Sequence, residues 1–238
     1  MSGNLYVIGV GPGDPELLTL KAVRIFKEVP CICVPKGRQE GSSLALSIVE
    51  RAVSLNHKEI IEAHFPMKKT KSTEDDCELD AKWHNTIDTI LNRLNKGIDV
   101  AFITIGDPTI FSTFFYLYDR LLELNPDLNI EIIPGISSIN AAASWAKISL
   151  GLGDEKIAIL PANYEDNLKG ILKKFDTIIL LKVHKVFEQV LNVLDNMNLL
   201  ENTIYISKAG MEDEKIFRDI RDVKDDDLNY FSMLIVRR

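Results

Sequence analysis

The chain has 238 residues, of which 46% are apolar and 26% charged, with a formal net charge of −7. This length holds one large or two modest domains, and the composition is ordinary for a globular protein. The negative charge argues against a nucleic-acid binder and requires a local basic patch for any anionic substrate. No apolar run approaches the roughly 18–20 residues of a membrane span.

The three cysteines do not form a closed disulfide set. Cys31 and Cys33 alternate along a predicted strand, so their side chains share one face and are expected to be buried, inert thiols. No metal site is predicted, because no further ligand lies at a suitable spacing. The N-terminus enters a strand almost at once, which leaves no room for a signal peptide and predicts a cytoplasmic location.

The stretch Leu5–Leu20 predicts a strand at 5–8, a glycine-proline turn, and a helix at 16–27, with Asp14 or Thr19 as its cap. A dinucleotide site requires G-x-G-x-x-G and a later acid. Here Asp14 occupies the third glycine position, and no acid follows the second strand. This turn alone leaves open both a structural role and a ligand site.

The first half alternates strand and helix. The patterns predict strands at 31–34, 60–61 and 99–105, and helices at 43–54 (capped by Ser42), 78–96 and 109–124. The polar stretch 64–76 reads as a loop, and the nearly continuous apolar run 99–105 is typical of a buried parallel strand. We therefore predict an α/β fold with right-handed crossovers.

The strand 99–105 ends in Gly106-Asp107-Pro108. Ligands bind at the carboxyl ends of strands in open α/β sheets, so Asp107 is a candidate ligand residue. The alternative is that Asp107 only caps the following helix. Two glycine-rich strand ends at the same edge of one sheet favour the ligand site.

The second half opens with a strand at 129–133 and the sequence Pro134-Gly135-Ile136-Ser137-Ser138. The serines can bond a ligand or merely cap a tightly packed helix. Further strands are predicted at 156–160, 177–181, 203–207 and 231–236, helices at 167–174 and 186–197, and an exposed acidic run at 225–227. The turn at 125–127 predicts two domains, 1–124 and 125–238.

Three motifs now stand in order: VGPGDPELLTLKA at 10–22, GDPTIFSTFFYL at 106–117 and PGISS at 134–138. Together they resemble the tetrapyrrole methylases, enzymes that use S-adenosylmethionine (SAM) to methylate porphyrin-like rings. The segments 34–38, 41–43, 65–67 and 112–114 resemble one branch, the carbon-20 methyltransferases of precorrin-2 or cobalt-factor II in cobalamin biosynthesis. The resemblance implies two α/β domains with the cofactor in the cleft between them, and a homodimer.

Carried over by motif, the resemblance implies a set of cofactor-binding residues: Pro12, Gly106, Asp107, Ile110, Ser137, Ser138, Lys182, Val183, Ala209 and Gly210. Asp107 would lie close to the α-ammonium or the backbone of the bound cofactor. The resemblance implies that Lys182 and Val183 follow the strand that supplies backbone contacts to the adenine of the cofactor. Several relatives have methionine at the position of Lys182, so the resemblance supports no side-chain contact there. Some relatives carry an acid after the second strand, where this chain has Pro35-Lys36, so no catalytic base is assigned.

The implied substrate is an anionic tetrapyrrole rich in carboxylates. Charge-assisted hydrogen bonds make Lys36, Arg38, Lys68 and Lys69, with Lys71, the candidate substrate-binding residues. The alternative is that these side chains only keep a loop soluble. His64 and His84 are interpreted as surface or satisfied histidines rather than a cobalt ligand or base.

Other functions stay open from the sequence. A related methylase would act on another ring carbon or on a protein, as in diphthamide synthesis. A nicotinamide-dependent oxidoreductase would bind NAD, and a SAM-binding sensor would bind the cofactor without turnover. The sequence does not distinguish a cobalt-containing from a metal-free acceptor.

Overall fold

The computed structural model describes residues 2–36, 43–64, 76–164 and 167–238. The chain folds into two compact units, Met1–Ser137 and Ser138–Arg238. Each unit contains one five-stranded sheet. The α/β prediction is confirmed.

The first unit is built on a parallel sheet with strand order β3-β2-β4-β1-β5. Its strands are β1 (Leu5–Gly9), β2 (Cys31–Lys36), β3 (Glu59–His64), β4 (Val100–Thr104) and β5 (Ile130–Ile133). All of β4 is buried, as expected for an inner strand covered on both faces.

Four helices cover the two faces of this sheet: α1 (Leu20–Glu28), α2 (Leu44–Ala52), α3 (Asp76–Leu94) and α4 (Phe115–Leu124). The first two pack with Ile8 and Ile103 in one apolar core. The last two pack with Val7 and Phe102 in another. Successive strand residues thus serve opposite cores, which follows from the two-residue repeat of a strand. Since all five strands are parallel, their carboxyl ends lie along one edge.

The second unit is built on a mixed sheet with strand order β6-β7-β10-β8-β9. The strands β6 (Ile157–Pro161) and β7 (Thr177–Leu181) are parallel, whereas β8 (Thr203–Ser207), β9 (Lys215–Phe217) and β10 (Ser232–Arg237) form antiparallel pairs. Its helices are α5 (Ser138–Ala146), α6 (Leu168–Lys174) and α7 (Phe187–Asn196). One apolar core joins α6 and α7 to the sheet residues Tyr205 and Leu234.

Several element boundaries differ from the sequence predictions for local reasons. Thr19 caps α1, so this helix begins at Leu20, whereas Asp14 caps a separate 3-10 turn at Pro15–Leu17. Ser43, rather than Ser42, caps α2. The predicted helix 109–124 begins only at Phe115, because the residues before it follow an irregular path in which Phe111 has φ 54°.

Two further features lie where the sequence predicted neither a strand nor a buried residue. The short strand β9 was not predicted. Asp227, from the acidic run expected to be exposed, is 9% exposed, and its carboxylate accepts hydrogen bonds from Lys215 Nζ (2.6 Å) and the Lys224 amide (3.1 Å). Strand β5 pairs with β1 and belongs to the first unit, whereas the domain boundary expected after residue 124 would assign it to the second.

No helix within the described ranges is both long and apolar enough to cross a membrane.

Candidate functional site

Three glycine-containing turns meet at the carboxyl edge of the first sheet. They follow the neighbouring strands β4, β1 and β5 and contain Gly106, Gly11 and Gly135. Gly11 and Gly106 exchange two backbone hydrogen bonds, with N···O distances of 3.3 and 2.8 Å. The prediction that the first two strand ends share one edge is confirmed, and the third turn joins them there.

The backbones of these turns approach too closely for side chains. A Cβ added to Gly135 would lie 2.3 Å from the Gly106 carbonyl oxygen, and one added to Gly9 would lie 2.6 Å from the same atom. Real Cβ atoms do not make such contacts, so these two positions require glycine. The edge therefore consists of main chain, which suits a ligand that forms hydrogen bonds with backbone N–H and C=O groups.

Asp107 holds two of the turns together. Its Oδ2 accepts a hydrogen bond from the Gly135 amide at 3.0 Å, and its Oδ1 accepts one from the Thr109 amide at 2.8 Å and another from the Thr109 hydroxyl. The carboxylate thus spans from the β4 turn to the β5 turn. Its predicted contact with the amino-acid end of a cofactor stays a prediction, and the observed contacts show that it organises the turns.

The other predicted cofactor residues of this region lie on or next to the same turns. Pro12 is buried between the two glycines of the first turn. The Ile110 amide donates to the Asp107 carbonyl at 3.3 Å. Ser137, 6% exposed, ends the first unit, and Ser138 begins α5 in the second unit.

In the second unit, Lys182 and Val183 follow β7 directly. Lys182 has a left-handed backbone with φ 58°, and its amide donates to the Ser232 carbonyl at 3.2 Å. Val183 is fully buried and opens a 3-10 turn, Val183–Lys185. The backbone contacts with an adenine that the family resemblance implies for this turn stay a prediction.

Ala209 and Gly210 are buried in the connection between β8 and β9. The Gly210 amide donates to a Glu214 carboxylate oxygen at 2.7 Å, and Lys208 forms an ion pair with Asp213. This ion pair lowers the pKa of the Asp213 carboxyl below its usual range, chiefly through the hydrogen bond from Lys208. Glu214 was not identified from the sequence, where the available signal was an acid four residues after Gly210.

Two more residues of the second unit received no role from the sequence. Asn163 Oδ1 and His184 Nδ1 are buried, and neither finds a hydrogen-bond partner among the residues that the structure describes. Burial, with a smaller contribution from Lys185, lowers the pKa of His184 and favours its neutral imidazole. The available sequence signal was their position, since each closely follows a predicted strand, at 156–160 and at 177–181.

Of the predicted substrate-binding residues, Lys36 lies in the described part of the chain. It ends β2 at the same edge as the glycine turns, is 14% exposed, and its Nζ lies 2.6 Å from a Glu62 carboxylate oxygen on β3. Arg38, Lys68, Lys69 and Lys71 lie outside the described residues.

Within the described ranges, no cluster of three or more His, Cys, Asp or Glu side chains is placed to hold a metal ion. His84 lines an open hollow of about 420 Å³ between α3 and α4, where the rings of Trp83 and Tyr116 stack with centroids 5.4 Å apart. Cys31 and Cys33 are buried as predicted, and burial raises the pKa of Cys31 to about 11, which keeps it a thiol.

Comparison with known proteins places these features in a family. A cobalt-precorrin-2 C(20)-methyltransferase of Salmonella typhimurium is 33% identical over 100% of this chain and 98% of its own length. A probable cobalt-precorrin-2 C(20)-methyltransferase of Methanocaldococcus jannaschii is 37% identical over 98% of this chain and 96% of its own length.

Among solved structures, a uroporphyrin-III C-methyltransferase from Thermus thermophilus, complexed with S-adenosyl homocysteine, superposes with a TM-score of 0.65 at 20% identity. The match covers 99% of this chain and 98% of that one and indicates a shared fold. The family of tetrapyrrole (corrin/porphyrin) methylases matches residues 4–223. The chain therefore belongs to the tetrapyrrole (corrin/porphyrin) methylases, which confirms the resemblance found in its motifs.

Proposed function

We propose that this chain transfers a methyl group from SAM to carbon 20 of a precorrin-2-type tetrapyrrole in cobalamin biosynthesis. The observation that carries the proposal is the full-length match, at 33% and 37% identity, to two relatives named for that reaction. Both relatives are named for a cobalt-containing acceptor, which favours the cobalt form here.

The residues present fit this cofactor. SAM offers an amino acid that backbone groups and carboxylates bind well, and an adenine with several hydrogen-bonding atoms. The first unit presents three turns built from main chain, and the second presents two buried polar atoms without a described partner. When bound, SAM supplies an activated methyl group on a sulfonium for in-line displacement by a nucleophilic ring carbon.

We assign the cofactor-binding residues by unit. In the first unit they are Pro12, Gly106, Asp107, Ile110 and Ser137, and in the second they are Ser138, Lys182, Val183, Ala209 and Gly210. Their contribution to the rate is positioning, because the donor is already activated and needs alignment more than chemical assistance. Asp107 serves this role by fixing two turns relative to each other.

Lys36 is assigned to a substrate carboxylate. Glu62 holds its ammonium at the carboxyl edge of the first sheet, so little side-chain freedom is left to lose on binding. A substrate carboxylate that displaces the Glu62 side chain, or that lies beside it, would form a charge-assisted hydrogen bond with the Lys36 ammonium. Arg38, Lys68 and Lys69 are assigned to the same anionic substrate on the basis of the sequence alone.

We further propose a cytoplasmic homodimer, as the family resemblance implies. Sedimentation equilibrium should then give twice the mass of one chain, and cell fractionation should recover the protein with cytoplasmic markers. A single-chain mass at concentrations used for assay would reject the dimer and leave the activity unaffected.

The deciding experiment is an anaerobic assay with SAM and, in parallel, cobalt-containing and metal-free precorrin-2. Mass spectrometry of the product should show one added methyl group, with the faster reaction on the cobalt form, and NMR should place it on carbon 20. A methyl group that NMR places elsewhere would indicate another ring carbon. SAM binding without methyl transfer to either ring would reject the acceptor and favour another tetrapyrrole, a protein acceptor or a sensor.

A titration with NAD in the same buffer provides the control for the oxidoreductase alternative. Binding of NAD in preference to SAM would reject the methyltransferase assignment altogether.

A further inference from the structure

Two buried polar atoms without described partners lie at the ends of neighbouring strands. Asn163 belongs to the 3-10 turn Ala162–Tyr164, which follows β6, and His184 belongs to the turn after β7. The two strands are parallel with Pro161 opposite Leu181, and the two turns contact each other. Both side chains therefore sit at the carboxyl ends of adjacent strands within one unit.

Unpaired buried polar atoms are rare in folded proteins, because each loses its hydrogen bonds to water without replacement. Among the described residues, three side-chain atoms are in this position: Trp83 Nε1 on α3 of the first unit, and Asn163 Oδ1 and His184 Nδ1 in the second unit. The two atoms of the second unit are the ones that belong to neighbouring strand ends. A ligand that supplies hydrogen bonds to both atoms would remove the deficit, and their location is where ligands bind in α/β sheets.

The chemistry of the pair indicates the class of ligand. An asparagine carboxamide presents an acceptor beside a donor, which matches the edge of an adenine, where an amino group adjoins a ring nitrogen. A neutral imidazole adds one donor and one acceptor and brings no positive charge near a sulfonium. Burial lowers the pKa of His184 and so favours this form.

The histidine ring is also held in place. The Tyr230 ring packs edge-on against it, with centroids 6.0 Å apart and an interplanar angle of 69°. A fixed ring loses little freedom when it binds, and it presents Nδ1 in one direction.

We propose that the Asn163 carboxamide and the His184 imidazole recognise the amino-bearing edge of the adenine of the cofactor. The inference rests on the proposed function, since it takes SAM as the ligand. It adds two side chains to a subsite for which the family resemblance implies backbone contacts alone.

The test is calorimetry with S-adenosylhomocysteine and with its analogue in which purine replaces adenine, so that only the amino group is missing. The unmodified protein should bind the analogue on the order of tenfold more weakly, the loss expected for one hydrogen bond. Asn163→Ala should bind both compounds equally and weakly. Asn192→Ala, an exposed asparagine on α7 of the same unit, is the matched control and should behave as the unmodified protein.

Thermal melting distinguishes recognition from structural support. Because Asn163 Oδ1 has no described partner, Asn163→Ala should melt no lower than the unmodified protein without ligand, and S-adenosylhomocysteine should raise its melting temperature less. His184→Ala should likewise bind S-adenosylhomocysteine on the order of tenfold more weakly. In His184→Gln, the side-chain amide should restore part of the affinity.

Several results would overturn the inference while leaving the proposed function intact. These are equal binding of the two compounds by the unmodified protein, variants that bind S-adenosylhomocysteine within twofold of it, or a ligand-free Asn163→Ala that melts several degrees lower. Failure of the unmodified protein to bind S-adenosylhomocysteine would instead reject the proposed function, and this inference with it.

Discussion

The two units use different parts of the polypeptide at their strand ends. In the first, the turns after β1, β4 and β5 approach so closely that only main chain fits between Gly9, Gly106 and Gly135. In the second, the turns after β6 and β7 carry side chains whose polar atoms are buried and lack described partners. The turns of the first unit are closely packed without a ligand. The turns of the second unit contain polar atoms whose hydrogen bonds are unmade among the described residues.

Each unit also contains a carboxylate that ties separate segments together. Asp107 joins the turns after β4 and β5, and Asp227 joins Lys215 on β9 to the segment before β10. The first lies at the proposed site and the second in a structural connection. The comparison predicts that loss of Asp107 impairs binding, whereas loss of Asp227 impairs stability alone.

The largest effect is expected from Gly135→Ala. The new Cβ would lie 2.3 Å from the Gly106 carbonyl oxygen, and backbone must shift to relieve the clash, at a cost of about 3 kcal/mol or more. Denaturant unfolding should show the loss. Gly153→Ala is the control, because it meets no atom within 4 Å and, at φ 54°, costs about 1 kcal/mol of backbone strain. Equal losses in the two variants would contradict the close packing of the turns.

Asp107→Ala is expected to have the second-largest effect. It removes the acceptor for the amides of Gly135 and Thr109, so we expect a stability loss of about 1–3 kcal/mol and the loss of measurable SAM binding. Asp107→Asn keeps one carbonyl oxygen and should retain part of the stability and part of the SAM affinity. Unchanged SAM affinity of the alanine variant, measured by calorimetry, would remove Asp107 from the site.

Lys36→Met should affect the substrate rather than the cofactor. Removing one ammonium should raise the KM for the tetrapyrrole about 3- to 10-fold and leave the SAM affinity unchanged, since one charged hydrogen bond is lost. Lys169→Met, an exposed lysine in α6, is the control. An equal rise in the KM for SAM would indicate instead that Lys36 supports the structure of the carboxyl edge of the first sheet.

Asp227→Asn should give the smallest effect, with a distinct pH dependence. The hydrogen bond from Lys215, with that from the Lys224 amide, lowers the pKa of Asp227 in the folded protein. The carboxylate therefore contributes stability above its unfolded pKa of about 3.9, and this is lost as the pH falls through the lower folded pKa.

The difference in melting temperature between the unmodified protein and Asp227→Asn should therefore be present at pH 7 and vanish in acid. Asp225→Asn, in the exposed part of the same run, is the control. A difference that persists at acidic pH, or weaker SAM binding at pH 7, would contradict the purely structural role.

The elements that the sequence predicted well are those with strong local patterns. The strands at 177–181 and 203–207 have the predicted bounds, because their β-branched and apolar residues are bordered by polar turns. The segment before α4 was predicted as the start of a helix at 109–124 that Asp107 could cap. It is irregular because Asp107 bonds both Thr109 and Gly135, a contact between distant residues that no local pattern reveals.

The candidate site also contains residues that a sequence pattern identified and residues that no pattern identified. The glycine turns were identifiable because several glycines at strand ends form a pattern, and the motifs around them carried the family. Asn163, His184 and Glu214 are single polar residues in short turns. Their importance depends on burial and on which amides lie nearby, and these are properties of the folded chain.

The close packing of Gly9 and Gly135 around one carbonyl oxygen has a consequence for how this protein can change over time. A substitution in one turn alters the space available to the other two, so the three turns can diversify only in concert. At the ends of β6 and β7 the polar groups belong to the side chains of Asn163 and His184, so a single replacement there changes the hydrogen-bonding groups directly. Divergence in ligand preference within this architecture should therefore proceed through the second unit first.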